Sequence, residues 1–267
     1  MCYNFNMDYN FWLKQEEKRP LYPDFEWKKP ENKRRAGKLL LIGGNAHGFA
    51  AVAMNYKAAV DCGAGQVRVL MPDAVEKVVK NQFPDAVFLP SNVSGGFAKS
   101  GLDQALAATD WADAVVFVGD SGQNSETGLL LEKILLKSDK PVAITRDAVD
   151  LLRGMGERLM NRPRTTLAVS FQQLQKLFQS VYYPKVLTFS QNLTQTVENL
   201  HKFTLTYPVS INLFHKDMLL AAANGQVASQ KFANPTLVWS GKLATRTAIY
   251  QMWTDDPIEA AAASWLN

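Results

Sequence analysis

The sequence predicts an α/β fold, a mostly parallel central sheet with helices on both faces. Three observations point to it. Runs that are apolar throughout, such as "KLLLIGG" and "DAVVFVGD", recur along the chain, as strands buried on both faces do. Between them lie helix-length segments, the alternation a parallel sheet needs because each crossover must return the chain to the same end. The chain has 267 residues, 47% hydrophobic and 20% charged, enough to bury a large core in ordinary globular proportions.

Residues 1–36 are aromatic and proline-bearing ("FWLKQEEKRPLYPDFEW"), with Trp12, Tyr22, Phe25 and Trp27. Too rich in aromatics for a disordered tail, they predict an arm packed on its own domain or on another subunit. Residues 37–267 are expected to form a single domain. "KLLLIGG" is a buried strand, and "FAAVAMNYKAAVDCG" a helix of small residues ending at Gly63. "GQVRVLMP" is the next strand, and "DAVEKVVKNQF" a helix with an acidic start suited to the helix dipole. "AVFLPS" and "DAVVFVGD" are strands, "FAKSGLDQALAATDW" and "SETGLLLEKILLKS" helices, and "KPVAITRDAVDLL" supplies one of each.

After Leu152 the alternation loosens. "TTLAVS" is a short strand, "FQQLQKLFQSV" a helix, and "LTQTVENLHKFTLTY" an amphipathic helix. "PVSINLFHKDMLLAAANGQVASQKF" predicts strands joined by a turn at Asn224-Gly225. The last segment, "DDPIEAAAASWLN", carries a helix start, with Asp256 as N-cap, Pro257 first and Glu259 third.

Composition excludes several classes. Every apolar run is broken well short of a membrane span, so no membrane partner is expected. No basic-then-apolar leader opens the sequence, which predicts a cytoplasmic location and makes the sequons at Asn92 and Asn192 chance matches. Cys2 and Cys62 are too few for a disulfide framework, and His47, His201 and His215 lack metal-ligand spacing. The net charge is +4, and the basic run at residues 28–38, "KKPENKRRAGK", has no aromatic interleaving. A solvated lead-in, or a rim attracting phosphorylated ligands, fits it better than a nucleic-acid surface.

Ligands of open α/β sheets lie at the carboxyl ends of the strands, and four loops fall there. The first, "LIGGNAHGF", offers Gly43, Gly44, Asn45 and His47, either as a phosphate cradle or as a tight turn. It matches neither GxGxxG nor the P-loop. The second, "VGDSGQNSET", offers Gly119, Asp120, Ser121, Gly122 and Asn124. The amides of residues 125–127 can receive an anion there, or Asn124 or Ser125 is a plain N-cap. In the third, "ITRDAVD", Arg146 and Asp147 follow a strand, and Asp147 reads equally as helix cap or catalytic acid. The fourth, "VWSGKLATRT", presents Ser240, Gly241 and Lys242 ahead of a helix, as an anion site or a plain helix start.

Taken in order, these segments resemble the ADP/ATP-dependent NAD(P)H-hydrate dehydratases of the ribokinase-like superfamily. "GKLLLIGGNAHGFAAVAMNYKAAVDCGAGQVRVLMPD" is similar to the family's opening strand, glycine turn, small-residue helix and "GAG" strand. "WADAVVFVGDSGQNSETGLLLEKILLKSDKPVAITRDAVDLL" resembles its "GPGLG" loop, helix, strand and "DADAL" turn, and "TDDPIEAAAASWL" its closing helix. The resemblance implies a ribokinase-like three-layer sandwich, ATP or ADP with Mg2+ as cofactors, and a hydrated dinucleotide, NADHX or NADPHX, as substrate-type ligand. It also implies that "LIGGNAHGF" faces the ligand.

The sequence departs from the family where phosphoryl transfer is done. The family's "GTGD" loop, which carries the base and an anion hole, falls on "VWSGKLA", which has no carboxylate. "TPHPGE" is replaced by "AVSFQQ", and a later "KG" by Phe214-His215. "GPGLG" has become "GDSGQ" and "DADAL" has become "TRDAV", although Gly119, Gly122 and Asp147 survive. Two expectations follow. One is a degenerate member that binds a nucleotide or dinucleotide or serves as an assembly protein, with a homo-oligomer expected. The other is an active dehydratase or small-molecule kinase in which Asp120 or Asp147 replaces the missing base.

Overall fold

The computed structural model describes residues 9–266, so Cys2 and the first eight residues of the expected arm lie outside the described residues. Strand β1 (Trp12–Gln15) comes first. β2 (Lys38–Gly43), α1 (Ala50–Asp61), β3 (Gln66–Pro72), α2 (Glu76–Val79), β4 (Val87–Leu89), α3 (Leu102–Trp111), β5 (Ala114–Gly119) and α4 (Ser125–Lys137) follow. Next come β6 (Val142–Thr145), α5 (Asp147–Leu152), α6 (Glu157–Met160), β7 (Thr165–Ser170), α7 (Phe171–Ser180) and α8 (Leu193–Thr206). β8 (Ser210–His215), β9 (Met218–Ala223), β10 (Gln226–Lys231), α9 (Pro235–Trp239), α10 (Lys242–Tyr250) and α11 (Pro257–Ser264) complete the chain.

One ten-stranded sheet runs in the order β1-β10-β9-β8-β7-β6-β5-β2-β3-β4. From β4 to β8 all neighbours are parallel, and β8, β9 and β10 pair antiparallel. The β9–β10 hairpin turns on Asn224 and Gly225, at φ 50° and 76°, the left-handed pair that a twist-matched two-residue turn demands.

Successive strand residues point to opposite faces, and the parallel strands are apolar on both. Leu40, Ile42, Val115, Phe117 and Ile144 pack under α3, α4, α5, α7 and α8. Leu39, Leu41, Val116, Val118 and Ala143 pack under α1, α10 and α11. The result is a three-layer sandwich. Phe117 is fully buried, and truncating it to alanine is expected to cost about 3–5 kcal/mol.

Of the two placements expected for the arm, its described part takes the first and packs on its own domain: β1 pairs parallel with β10, from Trp12↔Val227 to Gln15↔Gln230. Gln15 is buried and donates to Gln230 Oε1 and the Ala262 carbonyl, and Phe25 packs on Tyr250. A four-residue edge strand carries too little alternation to be read from sequence. One expectation needs correction: the helix expected over "DAVEKVVKNQF" is a 3-10 turn (Asp73–Val75) and the single turn α2.

No helix among the described residues is long and apolar enough to cross a membrane.

Candidate functional site

β2 and β5 run so close at their carboxyl ends that a Cβ on Gly43 would fall 2.3 Å from the Gly119 carbonyl oxygen. Gly44, at φ 85°, donates its N–H to that oxygen at 3.0 Å. The chain then closes a small turn in which Asn45 and Gly48 exchange N–H···O bonds of 2.8 and 3.1 Å. His47 N donates to Asn45 Oδ1 at 2.7 Å, leaving an exposed imidazole on the turn. Asn45 Nδ2 reaches across to the Asp120 carbonyl at 2.6 Å.

In the loop after β5, Gly119, Asp120 and Gly122 all have left-handed φ, 86°, 56° and 75°. Successive N–H groups in such a turn converge into an anion-binding concavity. Here the anion is the chain's own: Asp147 accepts from Asp120 N at 2.7 Å and from Ser121 N at 2.8 Å. Asp147 opens α5, yet its carboxylate serves the neighbouring loop, so the plain helix-cap role does not describe it. Gly119 is required because a Cβ there would lie 2.3 Å from Asp147 Oδ1.

Asp120 is also occupied. Its Oδ2 accepts from Ala51 N at 2.7 Å, at the positive end of α1. Its Oδ1 pairs with Arg146 at 2.6 Å, the two side chains being 17% and 29% exposed. Arg146 sits at φ 59°, donates to the Trp239 carbonyl at 2.8 Å, and has a buried Nε without a hydrogen-bond partner. Its own carbonyl accepts from Gln173 Nε2 at 2.8 Å.

At the fourth loop, Ser240 is buried and its carbonyl accepts from Asn55 Nδ2 at 2.9 Å. Gly241 caps α10 at φ 81° without a side-chain bond. A Cβ on it would meet Thr145 Cγ2 at 3.1 Å and Arg146 Cδ at 3.5 Å. Lys242 is half-buried, and its side chain makes no hydrogen bond or ion pair among the described residues. The charged side chains at the positive end of α10 are therefore cations, Arg146 and Lys242.

Asn124 is the N-cap of α4, its Oδ1 accepting from Glu126 N at 2.8 Å. Of the two readings of this helix start, the plain N-cap is present at Asn124, and it takes up the amide of Glu126. Asn45, His47, Ser121, Gly122 and Asn124 meet around an open recess of about 590 Å3. Arg146, Ser240, Gly241 and Lys242 form a second group, joined to the first through Asp120.

The loop at residues 91–97 was missed. Ser94 and Gly96 line the recess, Gly95 accepts from Ala46 N at 2.9 Å, and Ser94 Oγ accepts from Asn124 Nδ2 at 2.9 Å. The signal was "SNVSGGF", an asparagine and paired glycines directly after a strand. His215, at the end of β8, stacks on Phe171 at 4.3 Å. Burial, and then Lys216, push its pKa below the ordinary imidazole value, and its Nε2 is buried without a partner.

The donor set suits a phosphate, with two cations, glycine-rich backbone and a helix amino terminus at the sheet end. It does not suit a magnesium ion held by protein carboxylates, because Asp120 and Asp147 are committed. No cluster of three potential metal ligands occurs among the described residues.

Strand order and layers together define a ribokinase-like fold. The structure of a ribokinase-like superfamily protein from Enterococcus faecalis superposes with a TM-score of 0.74 at 16% identity, covering 98% of this chain and 87% of that one. The ADP/ATP-dependent NAD(P)H-hydrate dehydratase from Bacillus subtilis, co-crystallized with ATP/Mg2+, gives 0.63 at 15% identity, over 92% and 85%. No family profile matches the chain.

Among curated proteins, the chain is similar to the bifunctional NAD(P)H-hydrate repair enzyme of Dictyoglomus turgidum, 26% identical over 125 residues. It is also similar to that of Leishmania infantum, 32% identical over 129 residues. Each match takes in 46% of this chain but only 24% and 22% of the relative. The chain thus has the ribokinase-like fold, and under half of it is similar in sequence to NAD(P)H-hydrate repair enzymes.

Proposed function

We propose that this chain binds a nucleotide or dinucleotide through its phosphates at the carboxyl ends of the strands and has lost dehydratase turnover. One observation carries the proposal: both carboxylates that could replace the absent base are structural. Asp147 fills the concavity of the loop after β5, and Asp120 caps α1 and neutralises Arg146. A base must reach the proton it removes, and each of these oxygens is already held by a loop N–H or by Arg146, so recruiting either carboxylate competes with the contact it makes. Loss of general-base assistance costs about 10²–10⁴-fold in rate. Lys242, without an ion pair among the described residues, keeps positive charge that suits a phosphate, and Arg146 can add its own only by exchanging Asp120 for the ligand.

The test pairs turnover with binding. Purified protein is given NADHX or NADPHX with ATP or ADP and magnesium, and regenerated NAD(P)H is followed by absorbance beside an active dehydratase. The same preparations are titrated calorimetrically with ATP, ADP and NADPH. Binding without turnover is expected. Turnover refutes the loss of chemistry, and silence in both arms refutes the binding site.

A further inference from the structure

The opposite end of the sheet holds a cavity that none of these loops touches. At the amino ends of β6, β7 and β8 lies a recess of about 210 Å3, walled by Pro141, Pro163, Pro208 and Pro257. Proline rings offer rigid apolar surface and no N–H. Two charged side chains open on the recess, Arg164 and Asp255. Both are exposed. Among the described residues, neither side chain makes a hydrogen bond or ion pair, with the other or elsewhere.

The Arg164 backbone is held in place. It sits at φ 53°, a conformation residues with a Cβ seldom adopt, and its carbonyl accepts from Val142 N at 2.9 Å. Behind it, Arg162 donates to the carbonyls of Leu135, Ser138 and Lys140 and to Thr165 Oγ1, all neutral acceptors. Among the described residues neither arginine of this wall is in an ion pair, although the Asp139 charge acts on Arg162. An adjoining recess of about 450 Å3 shares Arg164 and Asp255 and adds Lys140 and Asp113. Asp113 is already engaged there, accepting from Lys38 N at 2.8 Å.

We propose that the proline-walled recess is a second ligand site, for a small zwitterion of the α-amino-acid class. The carboxylate pairs with the Arg164 guanidinium, whose planar fork matches it. The ammonium pairs with Asp255, and an apolar side chain lies on the prolines. A plain anion leaves Asp255 facing a like charge or nothing, and a plain amine does the same to Arg164. A ligand with both charges pairs with both groups at once. The site lies at the other end of the strands from the nucleotide loops, so it stands or falls independently of them.

Calorimetric titration of the full chain with L-leucine and L-proline, up to about 10 mM, tests it. Isocaproate and isoamylamine, each keeping one of leucine's two charges, are the comparators. At least one amino acid is expected to bind, with both comparators about tenfold weaker or more. Arg164→Asn and Asp255→Asn are each expected to weaken binding about tenfold or more. Asparagine tolerates the left-handed φ at residue 164, and an unchanged melting temperature shows that both variants are folded. Failure of both amino acids to bind overturns the proposal. So does isocaproate binding as tightly as leucine, or wild-type affinity in either variant.

Discussion

Replacing Asp147 by asparagine separates a carboxylate that holds a loop from one kept for chemistry. Asp147 accepts two N–H groups, at 2.7 and 2.8 Å, and hydrogen bonds to a charged group contribute about 1.5–3 kcal/mol each. Asparagine keeps one neutral acceptor, worth about 1 kcal/mol, and turns an NH2 donor towards the second N–H. Asp147 is half-buried, so water recovers part of the difference, leaving a loss of about 2 kcal/mol. Urea unfolding at neutral pH reads this as a lower midpoint with an unchanged slope. A side chain retained for function at the expense of stability behaves in the opposite way, and its replacement is neutral or stabilising. Asp147→Asn as stable as the wild type would refute the structural role and return Asp147 to the list of candidate bases.

The same reasoning extends to three further positions. Gly119→Ala places a Cβ 2.3 Å from Asp147 Oδ1 and 2.9 Å from Arg146 Cβ, at φ 86°. It should lower stability by about 3 kcal/mol or more, and an unchanged thermal midpoint would show the contact to be absent. Asp256 caps α11, accepting from Ile258 N at 2.8 Å and Glu259 N at 3.3 Å. Asp256→Ala should cost about 1 kcal/mol in urea unfolding. His215 has its pKa lowered, first by burial and then by Lys216, so as pH falls the unfolded chain takes up the proton first. The stability its neutral ring contributes is full above about pH 6.5 and drains away as pH falls through the lowered folded value. His215→Phe keeps a ring against Phe171 and removes the unpartnered Nε2, so denaturation at stepped pH should show a flatter acid limb. An unaltered limb would place the titration elsewhere.

Much of the fold was legible because its signals are local. Runs such as "LLLI" and "VVFV" need no partner to be read as doubly buried strands, Asn224-Gly225 names its own turn, and Asp256-Pro257 its own helix start. The site was legible only as a set of loops. Asp147 meets Asp120 N from 27 positions away in the chain, and Arg146 meets the Trp239 carbonyl from 93. Such partners are set by how β5, β6 and α9 are brought together, and no spacing rule reports them. β1 escaped for a related reason: what makes "WLKQ" a strand is the free edge of β10, more than two hundred residues away in sequence (|i−j| of 217 for Trp12 and Ser229).

The energetics at the mouth of the site decide whether it can still take an anion. Arg146 lies at the positive end of α10, a poor place for a cation unless an anion accompanies it, and Asp120 supplies that anion. Asp120 and Arg146 are only partly buried, and ion pairs with water access contribute about 1 kcal/mol or less. A phosphate oxygen accepting from the same guanidinium forms a charge-assisted bond worth about 1.5–3 kcal/mol and also faces the amino end of α10 and Lys242. Under the proposed function a phosphate competes with Asp120 for this guanidinium, with Lys242 and the amino end of α10 adding to its side. In that exchange Asp120 keeps its bond from Ala51 N and Asp147 still holds the loop, so both carboxylates stay tied to the scaffold. The proposed anion binding and the proposed loss of turnover thus rest on one arrangement of charges.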